Sequence, residues 1–149
     1  MQIRRYRPED AGALAQIFHA AVHETAALFY SPEQCAVWSP APDVAKFSDR
    51  EADGRSVWVA EGAVGVTGFI ELEPDGHIDC FYVHPRGAGR ALLAMLIAAA
   101  REAGLSRLHV EASEVARPFF AREGFVTGER RDFVRSGVAL HNWAMSKTL

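Results

Sequence analysis

The chain has 149 residues, a length that suits one compact domain. Apolar residues make up 49% and charged residues 23%, as in soluble globular proteins, which excludes a disordered or fibrous chain. Nineteen acidic residues against sixteen basic ones give a net charge of −3, so a surface dedicated to nucleic acid is not expected.

The N-terminus carries Arg4, Arg5, Arg7, Glu9 and Asp10 and is too charged for a secretory leader. The richest apolar run, residues 91–100, falls well short of the roughly 18–20 residues of a membrane span and reads as a buried helix. Cys35 and Cys80 stand far apart, with no spacing for a metal site or a disulfide framework. A reducing, cytoplasmic setting is expected.

Residues 2–6 alternate like a strand, and Pro8, Glu9 and Asp10 then open a helix, with acids facing its positive end. Leu14, Ile17, Phe18, Ala21 and Val22 form one apolar stripe along it. Residues 30–54 contain Pro32, Pro40 and Pro42 and read as short helical pieces (32–37 and 44–51) that cover a site. From Ser56 the period changes to two. Residues 56–61, 65–73 and 77–84 form an antiparallel meander, turned at Gly62 and at Pro74-Asp75-Gly76. A glycine-rich turn leads into a helix closed by Gly104, and residues 107–112 add a strand parallel to residues 77–84. A helix over 115–123 is expected to be irregular at Pro118. Residues 125–130 and 138–145 close a hairpin around Ser136-Gly137.

The turn Arg86-Gly87-Ala88-Gly89-Arg90 sits between a strand and a helix, where free N–H groups, the helix dipole and two guanidiniums all favour an anion. A plain tight turn fits the same pattern. No Gly-Lys-Ser/Thr follows, so the metal-nucleotide motif is absent. Leu92 stands where a dinucleotide fold would place its third glycine, and the strands before the turn form an antiparallel meander.

The order of these elements, with Val83-His84-Pro85, Arg86-Gly87-Ala88-Gly89-Arg90-Ala91-Leu92-Leu93 and Phe119-Phe120-x-x-x-Gly124-Phe125, resembles the GNAT acetyltransferases over nearly the whole chain. Tyr30-Ser31-Pro32-Glu33-Gln34 with Trp38, and Val110-Glu111-Ala112-Ser113 with Arg117-Pro118, resemble a group of small bacterial members. The resemblance implies a mixed α/β fold: a central, mostly antiparallel sheet flanked by helices, with one splayed pair of parallel strands. It also implies transfer of an acetyl group from acetyl-CoA to a primary amine of a small molecule or peptide. Arg86, Gly87, Ala88, Gly89 and Arg90 would then hold the coenzyme A diphosphate. Phe81, Tyr82 and Val83 would pair with the pantetheine arm, with Ser113 opposite and Phe119 and Phe120 near the thioester. Two departures stand out. The loop after Pro85 is a few residues shorter than the family's, and Phe120 stands where many members carry an acidic Tyr. These departures motivate the alternative of a domain that binds acyl-CoA without turning it over.

Direct attack on a thioester needs a neutral amine, so a base must take a proton from the ammonium form. Strand alternation puts Phe69, Glu71 and Glu73 on one face, and His77, Asp79, Phe81 and Val83 on one face of the next strand. Glu71 and Asp79 lie among apolar neighbours and are the candidate bases; a salt-bridged acid fits each position too. Glu111 lies on the strand beside the implied cofactor, where a paired surface acid is the plainer reading. His84 and His109 fit structural roles, and Cys80 a buried apolar one. Tyr30, Trp38 and Trp58 are candidate acceptor walls, though each also fits a core, and Glu24 and Glu33 could draw in an ammonium group. Antiparallel pairing of the C-terminal hairpin offers a route to a homodimer.

Overall fold

The computed structural model describes residues 1–149. Its strands are β1 (Gln2–Arg5), β2 (Ser56–Gly62), β3 (Gly65–Leu72), β4 (His77–Val83), β5 (Arg107–Ala112), β6 (Val126–Arg135) and β7 (Val138–Thr148). The α-helices are α1 (Ala11–Ala20), α2 (Pro32–Trp38), α3 (Val44–Ser48), α4 (Gly89–Glu102) and α5 (Arg117–Arg122). All seven strands join one sheet in the order β1-β2-β3-β4-β5-β7-β6. Every neighbouring pair is antiparallel except β4 and β5, which α4 links. This is the mixed, mostly antiparallel architecture expected from the sequence. No helix is long and apolar enough to cross a membrane.

Local chemistry accounts for several helix starts. Ser31 Oγ accepts the Gln34 N–H at 3.1 Å and the Gln34 side chain accepts the Ser31 N–H at 2.9 Å, a capping box that starts α2. The Asp43 carboxylate accepts the Lys46 N–H and starts α3, which ends at Ser48, earlier than expected. Pro118 does not disturb α5. The helix begins at Arg117, so Pro118 lies in the first turn, where an N–H has no helical partner to lose. Helix α1 runs on through a wide π turn, Ala21–Thr25, which its apolar stripe did not reveal.

The sheet has two packed faces. Trp58, Ile70, Ile78, Leu108 and Val110 face α4, where Leu92, Leu93 and Leu96 are fully buried. Each such leucine contributes about 1.5–3 kcal/mol over an exposed one. Val57, Val59, Phe69 and Cys80 face the other way, against Leu14 and Ile17 of α1 and Phe47 of α3. A smaller cluster of Val22, Tyr30, Cys35 and Leu140 seats the β6–β7 hairpin on that same face. The hairpin is longer than the sequence suggested, and β6 forms an edge of the sheet.

Two irregularities place the site. Between Ile70↔Phe81 and Leu72↔Ile78, Asp79 and Cys80 together oppose the single residue Glu71, a bulge in β4. The regular alternation expected for β4 therefore fails. Ile78 and Phe81 both pack toward α4, whereas Cys80 and Tyr82 pack toward α1. The second irregularity is a splay. β4 and β5 pair only at His77↔His109 and Ile78↔Val110, then diverge, and β5 pairs along its other edge with β7.

Candidate active site

The divergence of β4 from β5 opens a cleft of about 510 Å³. Asp79, Phe81, Tyr82, Ser113 and Phe120 line it, as do Tyr30 and Trp38 from the α1–α2 side. Past Ile78 the edge of β4 that faces β5 has no strand partner, so its backbone polar groups are available to an extended ligand. That edge leads through Val83 to the turn before α4. There Gly87 has φ of +125°, a conformation that other residues rarely adopt. Gly89 lies so close to the aromatic wall that a Cβ on it would sit 3.4 Å from Phe81 Cζ and 3.5 Å from Phe119 Cε2. The first-turn amides of α4 lack helical acceptors, and Arg86 is exposed beside them. Arg90 is also exposed, with Nε 3.4 Å from Glu123. A diphosphate with an extended arm fits this run of donors.

Two sequence candidates lie elsewhere. Glu71 is fully buried on the α1 face, where Arg50 Nε (2.6 Å), Arg50 Nη2 (2.8 Å), Arg55 Nη1 (2.8 Å) and the Cys80 N–H (3.2 Å) all donate to its carboxylate. It reads as a structural anion and not as a base, because no oxygen faces the cleft. Trp58 is buried in the α4-side core with Arg5 over its outer ring, and so cannot wall the acceptor pocket. Glu24 pairs with His84 at 2.6 Å, and Glu33 lies outside the cleft.

Asp79 and Glu111 are the carboxylates that line the cleft. Asp79 Oδ2 accepts from Arg55 Nη1 at 2.8 Å and from Arg50 Nη2 at 3.3 Å. Glu111 Oε1 lies 2.9 Å from His77 Nε2, and His77 Nδ1 lies 2.7 Å from Glu73 Oε1. Burial disfavours the His77 imidazolium, but Glu73 and Glu111 outweigh it and raise its pKa above the ordinary value. The result is a chain of titratable groups from the cleft to the opposite side of β4.

The phenols are held protonated. Burial pushes Tyr82 well up, and its oxygen accepts from Trp38 Nε1 at 3.3 Å. Burial also raises Tyr30, whose oxygen accepts the Glu114 N–H at 2.9 Å. Phe120 is buried against Phe81, Phe119 and Phe125 and carries no proton to give.

Sequence reasoning missed the contribution of the hairpin. Arg131, Phe133 and Arg135 of β6, with His141 and Asn142 of β7, form one wall of the cleft. The sequence pattern ended the first strand of this hairpin at residue 130, short of Arg131, Phe133 and Arg135, and nothing local indicated that β7 would pair with β5. Glu114 was missed as well. It accepts from Trp143 Nε1, lies 3.3 Å from His141 Nε2 and 3.6 Å from Arg117, and fastens the hairpin to the end of β5. Burial works against its charge, but those partners outweigh it and hold its pKa below the usual carboxylate range.

The family model described as the acetyltransferase (GNAT) domain matches residues 26–148. The uncharacterized N-acetyltransferase YafP of Escherichia coli K12 is 36% identical, covering 97% of this chain and 94% of its own length. A crystal structure of a GCN5-related N-acetyltransferase from Rhodopseudomonas palustris is 38% identical, with a TM-score of 0.88 over 99% of this chain and 95% of that one. The putative acetyltransferase yncA of Salmonella typhimurium, solved with its cofactor acetyl-CoA, is 25% identical, with a TM-score of 0.72 over 99% and 93%. A sheet opened between its only parallel strands, a glycine turn at the open end and these likenesses converge on one conclusion: the chain belongs to the GNAT acetyltransferases.

Proposed function

We propose that the protein transfers the acetyl group of acetyl-CoA to a primary amine of a small molecule or peptide by direct attack. The observation that carries this reading is the open edge of β4 between Phe81 and Val83, which leads to the α4 N-terminus. Phe81, Tyr82 and Val83 would align the pantetheine arm through their backbone groups. Arg86 and the amides of residues 87–90 would hold the diphosphate, and Ser113 and Phe119 would close the opposite side. Bound acetyl-CoA supplies an acetyl group on a thioester, whose C–S bond breaks as the amide C–N bond forms.

The chain's own task is to position the amine and take its proton. Asp79 and Glu111, the two carboxylates that line the cleft, would take that proton. Glu111 is the better placed, because only His77 holds it, through Oε1, which leaves Oε2 free to take the proton. Asp79 Oδ2 is already committed to two guanidiniums, leaving Oδ1 for an amine or a water. The thiolate leaves as a weak base near neutral pH and needs no dedicated acid, so Phe120 is compatible with turnover.

Titration calorimetry with acetyl-CoA, followed by an amine panel monitored by thiol release, tests the reading. Micromolar binding and thiol release support it, and absence of binding overturns it. Glu111→Gln and Asp79→Asn are expected to lower kcat while leaving acetyl-CoA affinity within about threefold, with Glu111→Gln the more severe. Phe120 favours a second reading, a domain that holds acyl-CoA without turning it over. Binding with no thiol release across the panel would establish that reading instead.

A further inference from the structure

The acceptor side of the cleft carries a charge pattern that the search for a base does not use. Lys46 of α3 and Arg131 and Arg135 of β6 all line it, and none of the three forms an ion pair. Lys46 Nζ lies 4.5 Å above the Phe18 ring. Arg131 Nη1 donates to the neutral Asn142 side chain at 3.1 Å, and the Arg135 guanidinium lies over Phe133 at 5.8 Å. The two lining carboxylates offer no balance, since Asp79 is taken by Arg55 and Arg50 and Glu111 by His77. All three cations stand on the face that carries α1–α3, beside Phe133, Phe18 and Phe47, whereas the turn before α4 packs on the opposite face, where Ala88 joins the α4-side core. They are therefore separate from the donors suited to a diphosphate.

Like charges gathered in one cleft repel one another, and an anionic ligand relieves that repulsion. We propose that the acceptor carries a carboxylate or a phosphoryl group beside its amine, and that Lys46, Arg131 and Arg135 hold that anion. This deepens the proposed acetyl transfer and rests on it for the identity of the cleft. Tyr30, Trp38 and Phe133 supply the flat apolar walls for the carbon skeleton between the two groups. The same cations disfavour the ammonium form of a nearby amine, and so help to deliver the neutral nucleophile that attack requires.

Calorimetric titration of the coenzyme A-saturated protein with paired acetamides tests this without depending on turnover. N-acetylglycine is compared with N-acetylglycinamide, and O-phospho-N-acetylethanolamine with N-acetylethanolamine. The anionic member of at least one pair is expected to bind about tenfold more tightly at low salt, and less so as salt rises. The pair that responds names the anion. In an Arg131→Gln, Arg135→Gln double variant, both residues being exposed, the preference is expected to fall below about threefold. Arg130→Gln should keep it, because Arg130 pairs with Asp132 outside the cleft. Equal binding within both pairs, or a preference that survives the double variant, overturns the proposal. If coenzyme A itself fails to bind, the transferase reading falls, and the same titrations on the free protein still report the anion preference.

Discussion

The carboxylate of Glu71 accepts the backbone N–H of Cys80 at 3.2 Å, and so satisfies the amide that the β4 bulge removes from the strand ladder. The same carboxylate pairs with both Arg50 and Arg55, which in turn hold Asp79. One buried acid thus fixes both the bulge and the position of a carboxylate in the cleft.

Glu71→Ala should therefore destabilise the fold by about 3–5 kcal/mol, since two largely buried guanidiniums lose their central partner. Glu71→Gln keeps the shape and should cost less. Urea denaturation measures both losses. A Glu71→Gln protein of native stability but with kcat reduced a hundredfold would point to catalysis instead.

At the vertex of the cleft, Gly76 has φ of +97°, and a Cβ there would lie 2.5 Å from the Arg107 carbonyl oxygen. The Gly76 carbonyl also accepts the His109 N–H at 3.1 Å. Gly76→Ala should push β5 away from β4 where the two strands still pair, costing about 1–3 kcal/mol or more. Acetyl-CoA affinity should fall with it, because the width of the splay changes. Thermal unfolding and calorimetry on one preparation check both outcomes.

His77 gives the fold a pH dependence of known sign. Its folded pKa lies above the ordinary 6.5, raised by Glu73 and Glu111 against the effect of burial. The stabilisation is therefore fully present below 6.5 and is lost as pH rises through the folded value. His77→Gln should cost more stability at about pH 6 than at about pH 9. An equal cost in urea at both pH values would show that the imidazolium contributes nothing.

Arg86 and Arg90 flank one turn but differ in commitment. Arg90 faces Glu123 at 3.4 Å, while Arg86 forms no ion pair. Arg86→Ala should weaken acetyl-CoA binding about tenfold or more, the loss of one charged hydrogen bond, with kcat at saturation little changed. Arg90→Ala should have the smaller effect. Initial-rate kinetics with varied acetyl-CoA separates the two.

Much of this protein was legible along its sequence. The period of two in residues 56–84, the proline at the start of α2 and the glycine turn before α4 are decided by neighbours in the chain. Hydrophobic periodicity and capping act over a few residues, so these features need no tertiary information. The run Arg86–Arg90 was legible as a candidate anion site for the same reason. Glu71 and Asp79, by contrast, look alike in sequence, and only the bulge separates them, through the register of β3 against β4 and two arginines from residues 50 and 55. Trp58 could not be told from a pocket wall until the packing of α4 claimed its face. The cationic wall of Arg131 and Arg135 exists because β7 pairs with β5 and carries β6 over the cleft, a contact set by long-range strand pairing. Pairing of that kind depends on buried faces that meet only when the chain has folded.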